Sequence, residues 1–149
     1  MRRAKDVLRL IHSYLSGRIH TPALSGCHYF ITFIIHISRR TWVYILKNKN
    51  EALIKFKDWK LMVEIETGKR VKCLRSDNGG DYISKEFSQY LVSEAIKREL
   101  TLPRNLQQTG VSERMNRILI ESVRAMLSDS VLAKKFWAEL VTTTAYIRN

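Results

Sequence analysis

Apolar residues along the chain change period several times, and each change marks an element. Val7 to Leu15 is a short apolar-rich run closed by Ser16-Gly17, and it predicts a first strand. After a turn at Ser25-Gly26, His28 to Ser38 (HYFITFIIHIS) is β-branched and aromatic, the composition of a buried strand. Arg39-Arg40 is a natural tight turn, and Thr41 to Leu46 (TWVYIL) a further strand, so these two read as a hairpin. From Asn50 to Glu66 the period lengthens. Ala52, Leu53, Phe56, Trp59, Lys60 and Val63 recur at three- and four-residue steps, which predicts an amphipathic helix. Asn48 or Asn50 can cap it, and Thr67-Gly68-Lys69 closes it. Val71 to Leu74 is a short strand entering the turn-rich loop Arg75 to Gly80. Ser84 opens a helix to about Val92, with Glu86 in its first turn. Ile96 to Thr101 reads as a strand and Pro103 to Gly110 as a polar loop. Val111 to Leu127 is the clearest helix. Val111, Met115, Ile118, Leu119, Ser122, Ala125 and Met126 line one side, and Glu113, Arg117, Glu121 and Arg124 alternate in sign on the other. A last helix runs from about Lys134 to Tyr146.

The order is therefore β, β, β, α, β, α, β, α, α. Five strands with a leading hairpin and later helices between strands predict a mixed α/β sheet flanked by helices. With 149 residues, one domain is expected, and no internal repeat or low-complexity linker divides it. The longest apolar stretch, Tyr29 to Ile37, is too short to span a bilayer, so no membrane partner is expected. The basic N-terminus imitates a mitochondrial presequence, but Asp6 weakens that reading and no secretory apolar core follows. Cys27 and Cys73 form neither a disulfide framework nor a C-x-x-C zinc pattern, so a reducing compartment is the default expectation. Histidines at 12, 20, 28 and 36 are evenly spaced, yet the residues around them do not repeat, and the spacing reads as coincidence.

Charge changes the picture. The chain carries 26 Lys/Arg against 14 Asp/Glu, a net of +12. Residues 1–75 hold 16 against five and residues 76–149 hold ten against nine, so nearly all of the excess sits in the first half. That asymmetry is expected of a polyanion-binding face and makes nucleic acid or another anionic surface the expected partner. Among the acids, Asp77 follows a short strand beside a glycine-rich turn, and Glu113 sits in the first turn of the long helix, 35 residues intervening. Two convergent carboxylates of that kind can hold Mg²⁺. The same positions also suit an Asx turn and a helix-dipole contact, and the residues alone leave both uses open.

The run Leu74-Arg-Ser-Asp-Asn-Gly-Gly-Asp-Tyr82, followed by Pro103-Arg-Asn-Leu-Gln-Gln-Thr-Gly-Val-Ser-Glu-Arg-Met-Asn-Arg117, closely resembles the integrase core of copia-type LTR retrotransposon polyproteins. The segments YFITFI, SRRTWVYILKNKNEA and KKFWAELV match the same family, so the resemblance covers nearly the whole chain. It implies a ribonuclease H-like fold with a D, D-x35-E catalytic set. Asp77 and Glu113 then take the places of the second Asp and the Glu, as ligands of Mg²⁺ or Mn²⁺ in DNA integration by phosphoryl transfer. It further implies DNA contacts from Asn78, Arg104, Gln108, Arg114, Asn116 and Arg117, a nuclear or else cytoplasmic site of action, and no small-molecule substrate. Glu113, Asn116 and Arg117 are i, i+3 and i+4 and share a helix face.

The family pattern is broken at three places. Where the first strand should read H-S-D-L-x-G-P, this chain has His12-Ser13-Tyr14-Leu15-Ser16-Gly17-Arg18, so Tyr14 holds the position of the first catalytic Asp. A phenol ionises near 10 and is a poor Mg²⁺ ligand beside a carboxylate. Asp6, eight residues upstream, is roughly 26 Å away along an extended strand and is no substitute. Where the second strand should read F-I-D-D-x-S-R, the chain has Phe33-Ile34-Ile35-His36-Ile37-Ser38-Arg39. The resemblance also implies a core domain over 1–149 that lacks a preceding zinc module and is cut short at its C-terminus. Two readings follow: an integrase core, impaired by loss of its first carboxylate, or a catalytically dead remnant that binds DNA or dimerises.

Overall fold

The computed structural model describes residues 7–76, 84–100 and 134–149, together with 114, 115, 117–119, 121, 122, 124 and 125. Its centre is a five-stranded sheet built from β1 (Ile11–Leu15), β2 (Tyr29–Ile35), β3 (Thr41–Leu46), β4 (Cys73–Ser76) and β5 (Lys97–Leu100). The spatial order is β3-β2-β1-β4-β5. β1, β2 and β3 pair antiparallel, whereas β1, β4 and β5 run parallel. The sheet is thus mixed, as the element order predicts, and β1 is the strand at which the two halves meet.

Helix α1 (Ala52–Thr67) makes the crossover from β3 to β4, and α2 (Lys85–Ser93) lies between β4 and β5. The described residues between 114 and 125 are helical, and α3 (Trp137–Arg148) follows. Side chains alternate across a strand, so β2 serves both faces. Ile31, Phe33 and Ile35 join Leu8, Ile11, Phe56, Trp59, Phe87 and Leu91 in one cluster under α1 and α2. Phe30 points the other way, into a second cluster with Leu119, Trp137, Val141 and Ala145. Both faces are therefore covered, which is why β2 reads as a continuous apolar run rather than an alternating one.

Sequence signals at element ends act through specific contacts. The Ser84 hydroxyl accepts from Phe87 N–H at 3.2 Å, capping α2. Gly68 adopts the left-handed conformation at φ 67° and donates to the Glu64 carbonyl at 2.9 Å, closing α1. Before α1, Lys49–Glu51 forms a short 3₁₀ turn in which the Glu51 carboxylate accepts from Asn48 N–H.

Four expectations need correction. The first strand begins at Ile11 rather than Val7, and β4 spans Cys73–Ser76 rather than Val71–Leu74. Pairing with β1 sets those bounds, a constraint invisible to periodicity. The turn after β2 starts at His36, where Arg39 takes φ 65° and donates from its backbone to the Ile35 carbonyl at 2.8 Å. Finally, α1 is not amphipathic in the ordinary sense, because Ile54, Leu61, Met62 and Ile65 lie exposed on its outer side. Among the described residues, no helix is long and apolar enough to cross a membrane.

Candidate functional site

The parallel pair β1 and β4 sets the geometry. Ser13 and Ser76 are register partners, so Tyr14 lies one residue past the last pair, at the C-terminal ends of both strands. In open α/β sheets this end, where neighbouring strands part, is the usual place for a site. Tyr14 is half-buried and faces the second cluster, with its ring 6.2 Å from that of Phe30 at an interplanar angle of 54°. A phenol packed against a benzene ring offers no carboxylate oxygen to a divalent cation, so the described residues do not fit one there. Among the described residues, no group of three His, Cys, Asp or Glu side chains is arranged to hold a metal ion.

Arg114 and Arg117 are exposed on the helical stretch, while Met115 packs against the cluster that holds Tyr14 and Leu119 is fully buried within it. That stretch therefore lies over the sheet face that carries Tyr14. Asp77, Asn78, Arg104, Gln108, Glu113 and Asn116 lie outside the described residues.

The second broken position belongs elsewhere. Ile35 pairs with Ile11, and His36 N–H donates to the Leu10 carbonyl at 3.1 Å. Both sit at the N-terminal end of β1, roughly 10 Å along the strand from Tyr14 at the usual rise per residue. Ile35 also faces the cluster under α1. The two missing acids thus concern the opposite end of the sheet, and their loss leaves the corner near Tyr14 untouched.

That opposite end holds a polar cluster which sequence reasoning missed. His12 Nε2 and His36 Nδ1 lie 2.8 Å apart. His12 is buried at 1% exposure, and its Nδ1 has no hydrogen-bond partner. Burial, then the proximity of His36, Arg75 and Arg39, lowers the His12 pKa to about 3. Burial lowers that of His36 as well, with Arg39 and Arg75 adding to it. Beside His12 on the sheet, Arg75 reaches Glu99 through Nε at 3.1 Å and Nη2 at 2.8 Å. These hydrogen bonds hold the Glu99 carboxyl below its ordinary value. The Cys73 thiol donates to the same carboxylate at 3.3 Å, and burial pushes its pKa up to about 12. Antiparallel β1 and β2 bring residues 12 and 36 together. The even spacing of the histidines is incidental to that, since His20 is exposed and His28 instead lies with Nδ1 2.7 Å from the Ile19 carbonyl.

No protein-family model matches the chain. It is 45% identical, over 147 residues, to the retrovirus-related Pol polyprotein from transposon TNT 1-94 of Nicotiana tabacum, a match covering 99% of this chain and 11% of that protein. The retrovirus-related Pol polyproteins from transposons RE2 and RE1 of Arabidopsis thaliana are 30% and 28% identical over 131 residues, 87% of this chain and 9% of each relative. The chain therefore spans about a tenth of the polyproteins it matches. Among solved structures it is similar to a chain of the simian T-cell lymphotropic virus intasome in complex with PP2A regulatory subunit B56 gamma. That likeness has a TM-score of 0.58 at 20% identity and covers 83% of this chain and 42% of the other, so it speaks to fold. By sequence the chain is similar to one segment of the retrovirus-related Pol polyproteins of transposons, and its mixed helix-flanked sheet shares the fold of the intasome chain.

Proposed function

We propose that the chain is a copia-type integrase core that binds DNA and lacks a working phosphoryl-transfer centre. The observation that carries this reading is Tyr14, placed at the joined ends of β1 and β4 where the family pattern calls for the first metal-binding Asp. The family's divalent metals activate the attacking oxygen and stabilise the leaving one. Asp77 and Glu113 alone leave that pair of ions without its shared carboxylate, so no strand cleavage is expected of this chain. DNA affinity rests on a different property, the +11 net charge of residues 1–75 together with exposed Arg114 and Arg117. Asn78, Arg104, Gln108 and Asn116 are proposed as further contacts. Such binding is phosphate-driven and falls steeply with salt. Fluorescence anisotropy with a labelled duplex tests it: saturable binding at low salt, indifferent to sequence, is expected, and absence of binding there contradicts it.

Self-association is a second reading, favoured by the exposed Ile54, Leu61, Met62 and Ile65 on α1. Ile54, Leu61 and Ile65, at steps of four, three and four residues counted through Asp58, form one stripe along the helix, with Met62 beside it. Sedimentation velocity is expected to show a concentration-dependent dimer that Leu61→Lys abolishes. A monomer at every concentration tested contradicts this second reading.

A further inference from the structure

Among the described residues, β3 is an edge strand: it pairs with β2 on one side and with no strand on the other. Backbone groups along an antiparallel strand turn alternately towards the partner and away from it. The Arg40 carbonyl accepts from Ile35 N–H at 3.0 Å, so Arg40, Trp42 and Tyr44 turn inward to β2. Thr41, Val43 and Ile45 therefore turn their N–H and C=O groups outward. We infer that this outer edge is a docking site for an extended acidic segment of a partner protein, which joins the sheet as a further strand beside β3.

One rung of that addition is already occupied, by a group that imitates a peptide. Asn149, directly after α3, reaches Thr41 with its side-chain amide. Its Oδ1 accepts from Thr41 N–H at 2.8 Å, and its Nδ2 donates to the Thr41 carbonyl at 2.7 Å. A single carboxamide thus makes both bonds that a residue of a neighbouring strand would make. The next two rungs differ. Among the described residues, nothing bonds to the outward N–H and C=O groups of Val43 and Ile45.

The strand also lacks the usual protection of an edge. Thr41–Leu46 (TWVYIL) carries no charge and no proline, and it pairs with β2 through six consecutive partners without a bulge. Charges, prolines and bulges are what ordinarily keep an unpaired edge from accepting another strand. Trp42, Val43, Tyr44 and Ile45 are only half-buried, so an added strand has apolar surface to cover on both sides of the sheet.

Charge selects the occupant. Arg39 and Arg40 precede the strand and Lys47 and Lys49 follow it, all four at exposed positions. Glu66 offsets Arg40 at 2.9 Å, which leaves both ends of the strand basic. Antiparallel pairing of two copies sets the basic start of one strand against the basic end of the other, and like charges across a pair are destabilising. A segment with acidic residues on either side of its extended stretch meets opposite charge at both ends.

The test is fluorescence anisotropy of the whole chain with a labelled peptide of alternating valine and threonine between pairs of aspartates. One twin is N-methylated throughout the valine–threonine stretch, and a second has lysines in place of the aspartates. Saturable binding of the parent peptide is expected, at least tenfold tighter than that of either twin. Val43→Pro removes an outward donor at a place where an edge strand tolerates proline, and is expected to weaken binding at least tenfold. Lys47→Glu leaves the backbone intact and is expected to weaken it at least threefold. Circular dichroism checks that both variants fold, and the N-methylated twin decides the matter with the unaltered chain. Equal affinity for that twin overturns strand addition, equal affinity for the lysine twin overturns the acidic partner, and no binding of the parent peptide overturns the site. A dimer that Val43→Pro dissociates, in a chain that binds no peptide, assigns the edge to a second copy and likewise overturns the inference.

Discussion

His12 is the residue whose burial has the clearest chemical consequence. Folded, it stays neutral down to about pH 3, whereas unfolded it takes a proton near 6.5. The unfolded chain therefore binds more protons between those values, and stability falls as pH drops through that window. The slope approaches about 1.4 kcal/mol per pH unit for each such proton. Glu99, whose carboxyl is held low by Arg75, adds an acid loss of the same sign at lower pH. We predict that His12→Phe flattens the urea-derived stability between pH 6.5 and pH 4.5, where carboxylates contribute least. An unchanged slope contradicts the buried neutral imidazole. Cys73 gives a second check at this scale. It is buried with its thiol pushed up to about 12, whereas Cys27 is half-buried. One thiol is expected to react with a disulfide reagent in the native protein and two after unfolding. Two fast-reacting native thiols contradict the placement of β4.

At the scale of elements, Phe56 joins three of them. Its ring lies 5.7 Å from Phe33 on β2, 5.6 Å from Phe87 on α2 and 6.2 Å from Trp59 on its own helix. Phe56→Ala is expected to cost about 3–5 kcal/mol, enough to unfold a marginal domain, while Phe56→Leu costs less. Thermal melts distinguish them, and a loss under 1 kcal/mol for the alanine variant counts against this packing. How much of this was legible beforehand follows from what each signal depends on. The hairpin and α1 are local, because unbroken β-branched runs and the Ala52-to-Val63 spacing need no partner to be recognised. The limits of β1 and β4 are non-local, since Lys72 N–H bonds to the Leu8 carbonyl at 3.2 Å and regular pairing starts only beyond that contact. The His12–His36 contact also depends on register, which residue spacing alone does not encode. The exposed apolar side of α1 is not legible for a different reason: the buried positions satisfy the helical spacing by themselves, whatever the outer positions carry. At the site, Tyr14 was readable as a departure from a pattern, but only the sheet shows that Ile35 and His36 depart at the other end.

Over the whole molecule, the two faces of the sheet divide the work. One face, under α1 and α2, holds most of the core. The other carries Tyr14 and the helical stretch bearing Arg114 and Arg117. On the function proposed above, the net charge of +12 serves nucleic-acid binding in part and in part reflects acids that the resembled pattern has and this chain lacks at 14, 35 and 36. If the charge is used on DNA, log Kd against log salt is expected to be linear, with a slope of about 0.9 per phosphate neutralised. Arg117→Ala is expected to lower that slope by about 1 without changing sequence preference. A salt-independent affinity contradicts phosphate-driven binding. The account joins DNA binding to an incomplete catalytic corner, and one measurement addresses that junction directly. A labelled duplex is incubated with Mg²⁺ and either the parent chain or Glu113→Ala, both at concentrations where anisotropy shows the DNA bound. The account predicts full occupancy and no Mg²⁺-dependent cleavage or joining by the parent above the Glu113→Ala background. Strand cleavage or transfer by the parent, lost in Glu113→Ala, would contradict it.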